Sequence, residues 1–152
     1  EMLDEAGFGA LRLTFHPDTH SRTEIYVNAK YCEQAGMNRE EMLARIGALD
    51  IPERTTQLDR LCQMIEILYS HTMQVNEYTD YYRQMWPGCT PSLMERKIRT
   101  VYTSDGRRFQ EYIFTRNISP QEFDARRCAR PGVRAMLKAA MGDFRCGAQL
   151  LS

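Results

Sequence analysis

Two long β-rich runs, Leu93 to Thr103 and Arg107 to Ile118, are joined at Ser104-Asp105-Gly106, and this pair constrains the chain more than any other feature. Asp-Gly between such runs closes a hairpin because both residues tolerate positive φ. The chain must therefore build an antiparallel sheet. Alternation puts Met94, Ile98 and Tyr102 on one face of the first strand and Glu95, Lys97 and Arg99 on the other. In the second strand Tyr112, Phe114 and Ile118 share a face and Phe109 and Ile113 the opposite one. A strand apolar on both sides is expected at a central position.

A second hairpin is expected near the start. Ala10 to Phe15 alternates apolar and polar residues, His16 to Ser21 supplies turn residues, and Glu24 to Asn28 is β-branched and aromatic. From Ala29 the period becomes helical: Tyr31, Cys32 and Ala35 form a stripe that Gly36 stops. Asn38 is placed to cap the next helix, Glu40 and Glu41 suit its first turn, Met42, Leu43 and Ile46 give it an apolar face, and Gly47 is expected to end it.

The clearest helix follows. Leu58, Leu61, Cys62, Ile65, Leu68, Tyr69 and Thr72 recur at three and four residues, so this stripe is expected to be buried, with Asp59, Arg60, Gln63 and Glu66 facing water. Thr55 or Thr56, close to Pro52, could cap it. The aromatic stretch from Asn76 to the Pro87-Gly88 turn signal reads as a connection. After Pro120 a polar, helix-permissive segment, Gln121 to Arg130, precedes a final amphipathic helix carrying Val133, Met136, Leu137, Ala140 and Met141.

Composition excludes some classes. Twenty Lys plus Arg balance twenty Asp plus Glu, so no global field draws the chain to nucleic acid or anionic membrane. No apolar run reaches the roughly 18 residues of a membrane span, and no secretory leader is evident, so the chain is read as intracellular. Five cysteines, Cys32, Cys62, Cys89, Cys128 and Cys146, are odd in number and far apart, which argues for free thiols over a disulfide framework or a zinc site. Position 1 is Glu rather than Met, so the expectation is a piece of a longer or processed protein whose output function lies elsewhere.

The run from Ile25 to Leu43, a strand ending in Asn28, a short helix ending in Gly36 and then Asn38-Arg39-Glu40-Glu41-Met42-Leu43, resembles the best-known stretch of PAS domains. The hairpin around Asp105-Gly106, ending in Asn117-Ile118-Ser119, is similar to the last two PAS strands. The resemblance covers residues 9–119 and implies an α+β fold: a five-stranded antiparallel sheet with helices on one face and a cavity between them. Residues 120–152 are then a C-terminal helical extension with a flanking helix. What the resemblance implies for function is a sensory or dimerising module of a signalling protein or transcription regulator, with a basic-leucine-zipper regulator preferred to a histidine kinase because no sustained heptad follows Pro120. Nothing in the chain matches the Gly-x-Asn-Cys-Arg-Phe-Leu-Gln motif of flavin-binding light-oxygen-voltage domains, so a flavin adduct is disfavoured.

The expected ligand-binding residues are Cys62, Ile65, Leu68 and Tyr69 on the long helix and Met94, Ile98, Tyr102, Tyr112 and Phe114 on the hairpin, although a fully packed core is the plainer reading of each. His71 stands where some haem-binding PAS proteins place an axial ligand. A histidine favoured by the dipole at a helix C-terminus is the preferred alternative. The cofactor is left unknown, with haem open. Tyr78, Asp80, Tyr81, Tyr82, Arg83 and Trp86 could form a pocket wall, a core lid or a partner surface. Val133, Met136, Leu137, Ala140 and Met141 are the expected dimer or partner contact, and a homodimer is expected. Arg126, Arg127, Arg130, Arg134 and Lys138 are diluted by Glu122, Asp124 and Asp143 and are read as a solvated face, so direct nucleic-acid binding and membrane association are not expected.

The expectation is thus a non-enzymatic regulatory domain that binds a small ligand or partner and relays a change to an effector, nuclear if it serves a transcription regulator and cytoplasmic otherwise. The rivals are a small α+β enzyme using Tyr78, Asp80, Tyr82 or His71 for acid–base work and a ligand-free interaction domain.

Overall fold

A computed structural model describes residues 2–48, 55–85, 91–126 and 131–141. After a short α1 (Met2–Glu5), β1 (Gly9–Phe15) and β2 (Arg22–Val27) form the expected hairpin, followed by α2 (Ala29–Ala35), α3 (Arg39–Ala48) and α4 (Gln57–Thr72). β3 (Glu77–Gln84), β4 (Ser92–Tyr102) and β5 (Arg108–Asn117) complete the sheet, and α5 (Pro120–Arg126) and α6 (Pro131–Met141) end the described chain. Every pairing is antiparallel and the order is β2-β1-β5-β4-β3, so the doubly apolar β5 is the central strand. This is the expected five-stranded α+β architecture.

The capping signals act as their chemistry requires. Asn28 Oδ1 accepts from Tyr31 N (2.9 Å) and from Ala10 N (2.7 Å), while its Nδ2 donates to Phe8 O (2.9 Å). One buried side chain thereby starts α2 and ties it to β1. Gly36 ends α2 at φ 62°, where a side chain would be strained. Asn38 Oδ1 accepts from Glu41 N and Thr56 Oγ1 from Asp59 N, fixing the starts of α3 and α4. Gly47 does not stop α3, which runs one residue further, to Ala48.

Register divides the sheet into two faces. Val27, Leu11, Leu13, Phe15, Ile113, Ile98 and Tyr78 pack with Cys32 of α2, Met37 of the α2–α3 connection and Met42 and Ile46 of α3 into the main core. The opposite face holds a smaller cluster of Tyr81, Leu93 and Ile118 under Phe123 of α5. The helices therefore do not all lie on one side: α5 covers the far end of the outer face.

Two elements differ from the sequence reading. The stretch expected as a connection is β3, an edge strand whose alternation Tyr78, Asp80, Tyr82 against Thr79, Tyr81, Arg83 is strand-like but whose polar inward residue, Asp80, hides the pattern. More consequentially, α4 is turned about its axis. Asp59, Cys62, Gln63, Glu66 and Ser70 are buried, whereas Leu58, Leu61 and Leu68 are 66%, 55% and 65% exposed. Pro52, Trp86-Pro87-Gly88, Cys89, Arg127, Cys128, Arg130, Asp143 and Cys146 lie outside the described residues, as does the side chain of Met141.

Because Asn28 satisfies three backbone groups at once, Asn28→Ala should lower unfolding free energy by about 1–3 kcal/mol, read as a shift of the urea midpoint at unchanged slope; a change below 0.5 kcal/mol, the size of an ordinary surface substitution, would contradict this role.

Candidate functional site

The inner face of the sheet is polar on its β3–β4 side. Asp80 on β3 lies opposite Arg96 on β4, and the two form a forked pair, Nε to Oδ1 at 3.0 Å and Nη2 to Oδ2 at 2.5 Å. Asp80 is 1% exposed, so this is a desolvated ion pair whose geometry compensates its burial. Burial lowers the affinity of Arg96 for its proton, but the charge and hydrogen bonds of Asp80 outweigh it and the net shift is upward. Tyr78 and Tyr82 flank Asp80 on the same face, and the Arg96 guanidinium lies 5.8 Å from the Tyr82 ring centre. Burial pushes the Tyr78, Tyr82 and Tyr31 hydroxyls above their usual range, so all three stay protonated donors at neutral pH.

A second group lies nearer the start of β5. His71, in the last turn of α4, has Nε2 3.8 Å from Glu111 Oε2, and Arg108 Nη1 is 3.5 Å from the same oxygen. The Arg108 guanidinium also sits 4.2 Å from the ring centre of Phe15. Burial raises the Glu111 carboxyl, yet hydrogen bonding with His71 and the charges of Arg108 and Arg96 hold it below its ordinary value of 4.5. Arg22, whose Nη1 donates to Ile46 O at 2.6 Å, has its affinity for a proton lowered chiefly by burial.

The inward face of α4 explains the inversion of its stripe. Asp59 Oδ2 accepts from the backbone N–H (3.0 Å) and guanidinium (3.1 Å) of Arg83, which closes part of the exposed edge of β3. Glu66, 1% exposed, accepts from Gly132 N (3.0 Å) and Val133 N (2.9 Å), the unpaired donors of the first turn of α6. A Cβ on Gly132 would come within 2.8 Å of Glu66 Oε2 and of Tyr69 Cβ, so the close approach requires glycine. Ser70 O accepts from Tyr102 Oη at 3.3 Å. Leucine in place of Asp59 or Glu66 would leave those donors of Arg83, Gly132 and Val133 unsatisfied.

The expected ligand-binding residues are therefore divided. Cys62, Met94, Ile98 and Tyr102 lie on the inner side. Tyr112 and Phe114 do not, because Arg99 pairs with Tyr112 and Lys97 with Phe114, which puts both on the outer face. Ile65, Leu68 and Tyr69 point away from the sheet and, with Thr72, Met73, Gly132, Ala135 and Met136, line an apolar groove of about 370 Å³ between α4 and α6. Val133 is half-buried in that junction, and Met136, Leu137 and Ala140 are exposed. Tyr81 and Arg83 belong to the outer face, where Arg83 stacks on Phe123 at 5.1 Å. Sequence reasoning placed Asp80 and Tyr82 in a wall but missed Arg96, Glu111 and Tyr31; the signal for Arg96 was a cation opposite Asp80, visible only once β3 is known to pair with β4.

His71 Nε2, the atom that would ligate a haem iron, faces the Glu111 carboxylate. Among the described residues no group of three or more His, Cys, Asp or Glu could hold a metal ion, and no helix is long and apolar enough to cross a membrane.

Two outcomes are expected. Arg96→Met leaves Asp80 buried without its cation and should cost about 3–5 kcal/mol, whereas Asp80→Leu/Arg96→Met, which removes both charges, should recover most of that loss in the same urea titration. For Glu111 the folded value lies below the unfolded one, so its contribution is full above about pH 4.5 and is lost as pH falls through the folded value. Glu111→Gln should flatten the acid limb of the stability profile there, and an unchanged acid limb would contradict the assignment.

No protein-family model matches the sequence, and no curated protein matches it with significance. Solved structures do. The chain is similar to a sensory box histidine kinase/response regulator from Burkholderia thailandensis (TM-score 0.56, 16% identity, 88% of this chain and 95% of that one), to a light-oxygen-voltage domain studied with a flavin analogue (0.56, 12%, 82% and 87%) and to the N-terminal domain of a diguanylate cyclase with PAS/PAC sensor from Marinobacter aquaeolei (0.53, 12%, 76% and 98%). With the same sheet and helices alongside those likenesses, the chain has the PAS fold.

Proposed function

We propose that this domain is a sensor: it binds a small polar molecule against the inner face of the sheet and passes the change through α4 to α6. The observation that carries this reading is the inward polar face of α4. The same helix meets the Glu111–Arg108 group of β5 through His71 and holds the first turn of α6 through Glu66. A ligand that competes for Arg96, Tyr31 or Tyr82 would shift α4 by preferring one arrangement, and α6 would follow because its N-terminal donors have Glu66 as acceptor.

The lining differs from the apolar pocket expected from sequence, and it changes the ligand class. Guanidinium and tyrosyl donors beside a tightly paired carboxylate favour a small hydrogen-bonding ligand, in particular one with a carboxylate, over an apolar one. Haem is disfavoured because Glu111 faces His71. The acid–base alternative is weakened because both oxygens of Asp80 are engaged by Arg96. We therefore assign no turnover to this domain; its effector, and any role in transcription, would lie with the rest of the signalling protein.

A thermal-shift panel of small carboxylic acids, amino acids and their amides, with haem and flavin as contrasts, tests this. A polar member should raise Tm and alter hydrogen exchange in α6, and Tyr82→Phe should weaken its binding several-fold. Glu66→Ala should leave binding in place and remove the change in α6. Stabilisation by haem alone, or by nothing in the panel, would favour the rival readings.

A further inference from the structure

Sheet register assembles a row on the outer face from residues far apart in sequence. Tyr26 of β2 pairs with Arg12 of β1, Arg12 with Tyr112 of β5, and Tyr112 with Arg99 of β4. Neighbouring strands lie roughly 5 Å apart, so rings and guanidiniums alternate over four strands. Arg39, at the start of α3, continues the row past the sheet edge: its guanidinium lies 6.0 Å from the Tyr26 ring centre, and that of Arg12 lies 5.9 Å from the same centre. Two residues along from Arg99, Lys97 pairs with Phe114. Tyr26, Arg39, Lys97 and Arg99 are exposed, and Arg12, Tyr112 and Phe114 are half-buried.

These cations lack the acids that cations elsewhere in the domain have. Arg83, Arg96, Arg107, Arg108, Arg116 and Arg126 each meet a carboxylate. Arg12, Arg39, Lys97 and Arg99 form no ion pair among the described residues. Glu77 stands opposite Arg99 at one end of the row and Glu24 two residues from Tyr26 near the other, so acids flank the row and none interrupts it. Glu95, two residues from Lys97, is already engaged by Arg116 and Arg126. Arg12 Nε is buried without an acceptor, so stacking rather than an acid holds this guanidinium. Tyr112 Oη donates to Gln110 Oε1 at 2.9 Å, which fixes the second ring.

We infer that this face binds single-stranded nucleic acid. A single strand alternates anionic phosphates with planar bases, and bases stack on tyrosyl rings and guanidinium planes; the row alternates the complementary groups. An acidic peptide would use the cations and leave the rings without a partner, and a duplex keeps its base faces stacked inside. The chain is neutral overall, so the attraction is confined to this face and acts at short range. The expectation of no direct nucleic-acid contact rested on the diluted basic residues of the C-terminal region and does not extend to the sheet. The row lies on the opposite side of the sheet from Asp80 and Arg96, so this inference goes beyond the sensor reading and is independent of it.

Fluorescence anisotropy of the full chain with labelled oligouridylate and oligothymidylate of roughly twelve nucleotides, and a duplex of the same length as contrast, tests this. The single strands should bind more tightly than the duplex, and log K should fall against log salt with a slope of about −2 to −3, the value for three or four phosphates on a single strand. Arg39→Gln and Arg99→Gln should each make that slope shallower by about 0.7. Tyr26→Leu should weaken binding about tenfold at unchanged slope, because it removes stacking and no charge. All three positions are exposed, and native circular dichroism of each variant confirms that the fold is kept. Arg134→Gln/Lys138→Gln, on α6, should change neither affinity nor slope. Absence of binding at low salt, equal binding of the duplex, no effect of Tyr26→Leu, loss of binding in the α6 variant, or displacement of the strand by oligoglutamate as effectively as by unlabelled strand would overturn the proposal. Tyr82→Phe, which tests the inner face, should leave strand binding unchanged, so the two readings fail separately.

Discussion

A carboxylate removed from water must find cations or N–H donors, and this requirement organises the domain more than its apolar core does. Asp80 is matched by Arg96, Asp59 by the edge of β3 and Arg83, Glu66 by the first turn of α6, and Glu95 by Arg116 and Arg126 on the outer face. Each pair joins two elements that are separate in sequence. β1, β2, α2 and α3 pack through apolar contacts, to which α4 adds Ile67, and the carboxylates on the inward face of α4 supplement that contact and fix its rotation. Buried ionic pairs contribute little net stability against a hydrophobic replacement, and their value here is in fixing one arrangement of the helix.

That requirement also separates what was legible in the sequence from what was not. Local signals acted locally: Asp105-Gly106 turned the β4–β5 hairpin, Asn28 and Gly36 bounded α2, Asn38 and Thr56 started α3 and α4, and the two-sided apolar pattern of β5 marked the central strand. β3 was hidden because its inward residues are Tyr78, Asp80 and Tyr82, which read as a polar connection until Arg96 is seen opposite. The facing of α4 was misread for the same reason. A leucine stripe at helical spacing identifies the helix but not what lies across from it, and here the partners of Asp59 and Glu66 are distant in sequence. Tyr112 and Phe114 changed faces because the hairpin register pairs them with Arg99 and Lys97.

The candidate site follows from these pairs. The inner face of a PAS fold brings β3, β4 and β5 under the helices, and in this chain it presents guanidinium, tyrosyl and carboxylate groups where the sequence reading placed an apolar lining. The groups nearest α4 connect the interior to the groove it forms with α6, so one helix has a polar side that meets the sheet and an apolar side that meets whatever lies outside. The proposed ligand response and any contact made by the apolar side would thus act on a single element. This arrangement gives a physical route by which occupancy on one side can bias contact on the other.

The central claim is the rotation of α4, and paired substitutions on its two faces test it directly. Urea unfolding of Leu61→Gln and Glu66→Leu, extrapolated to low protein concentration so that association does not contribute, compares an outward leucine with an inward carboxylate. The result expected is a change within about 0.5 kcal/mol for Leu61→Gln and a loss of about 1–3 kcal/mol for Glu66→Leu, which leaves Gly132 N and Val133 N without their acceptor. The reverse order, a large loss at Leu61 and little or none at Glu66, would show that the leucine stripe faces the core and would contradict the structure of the site built on it.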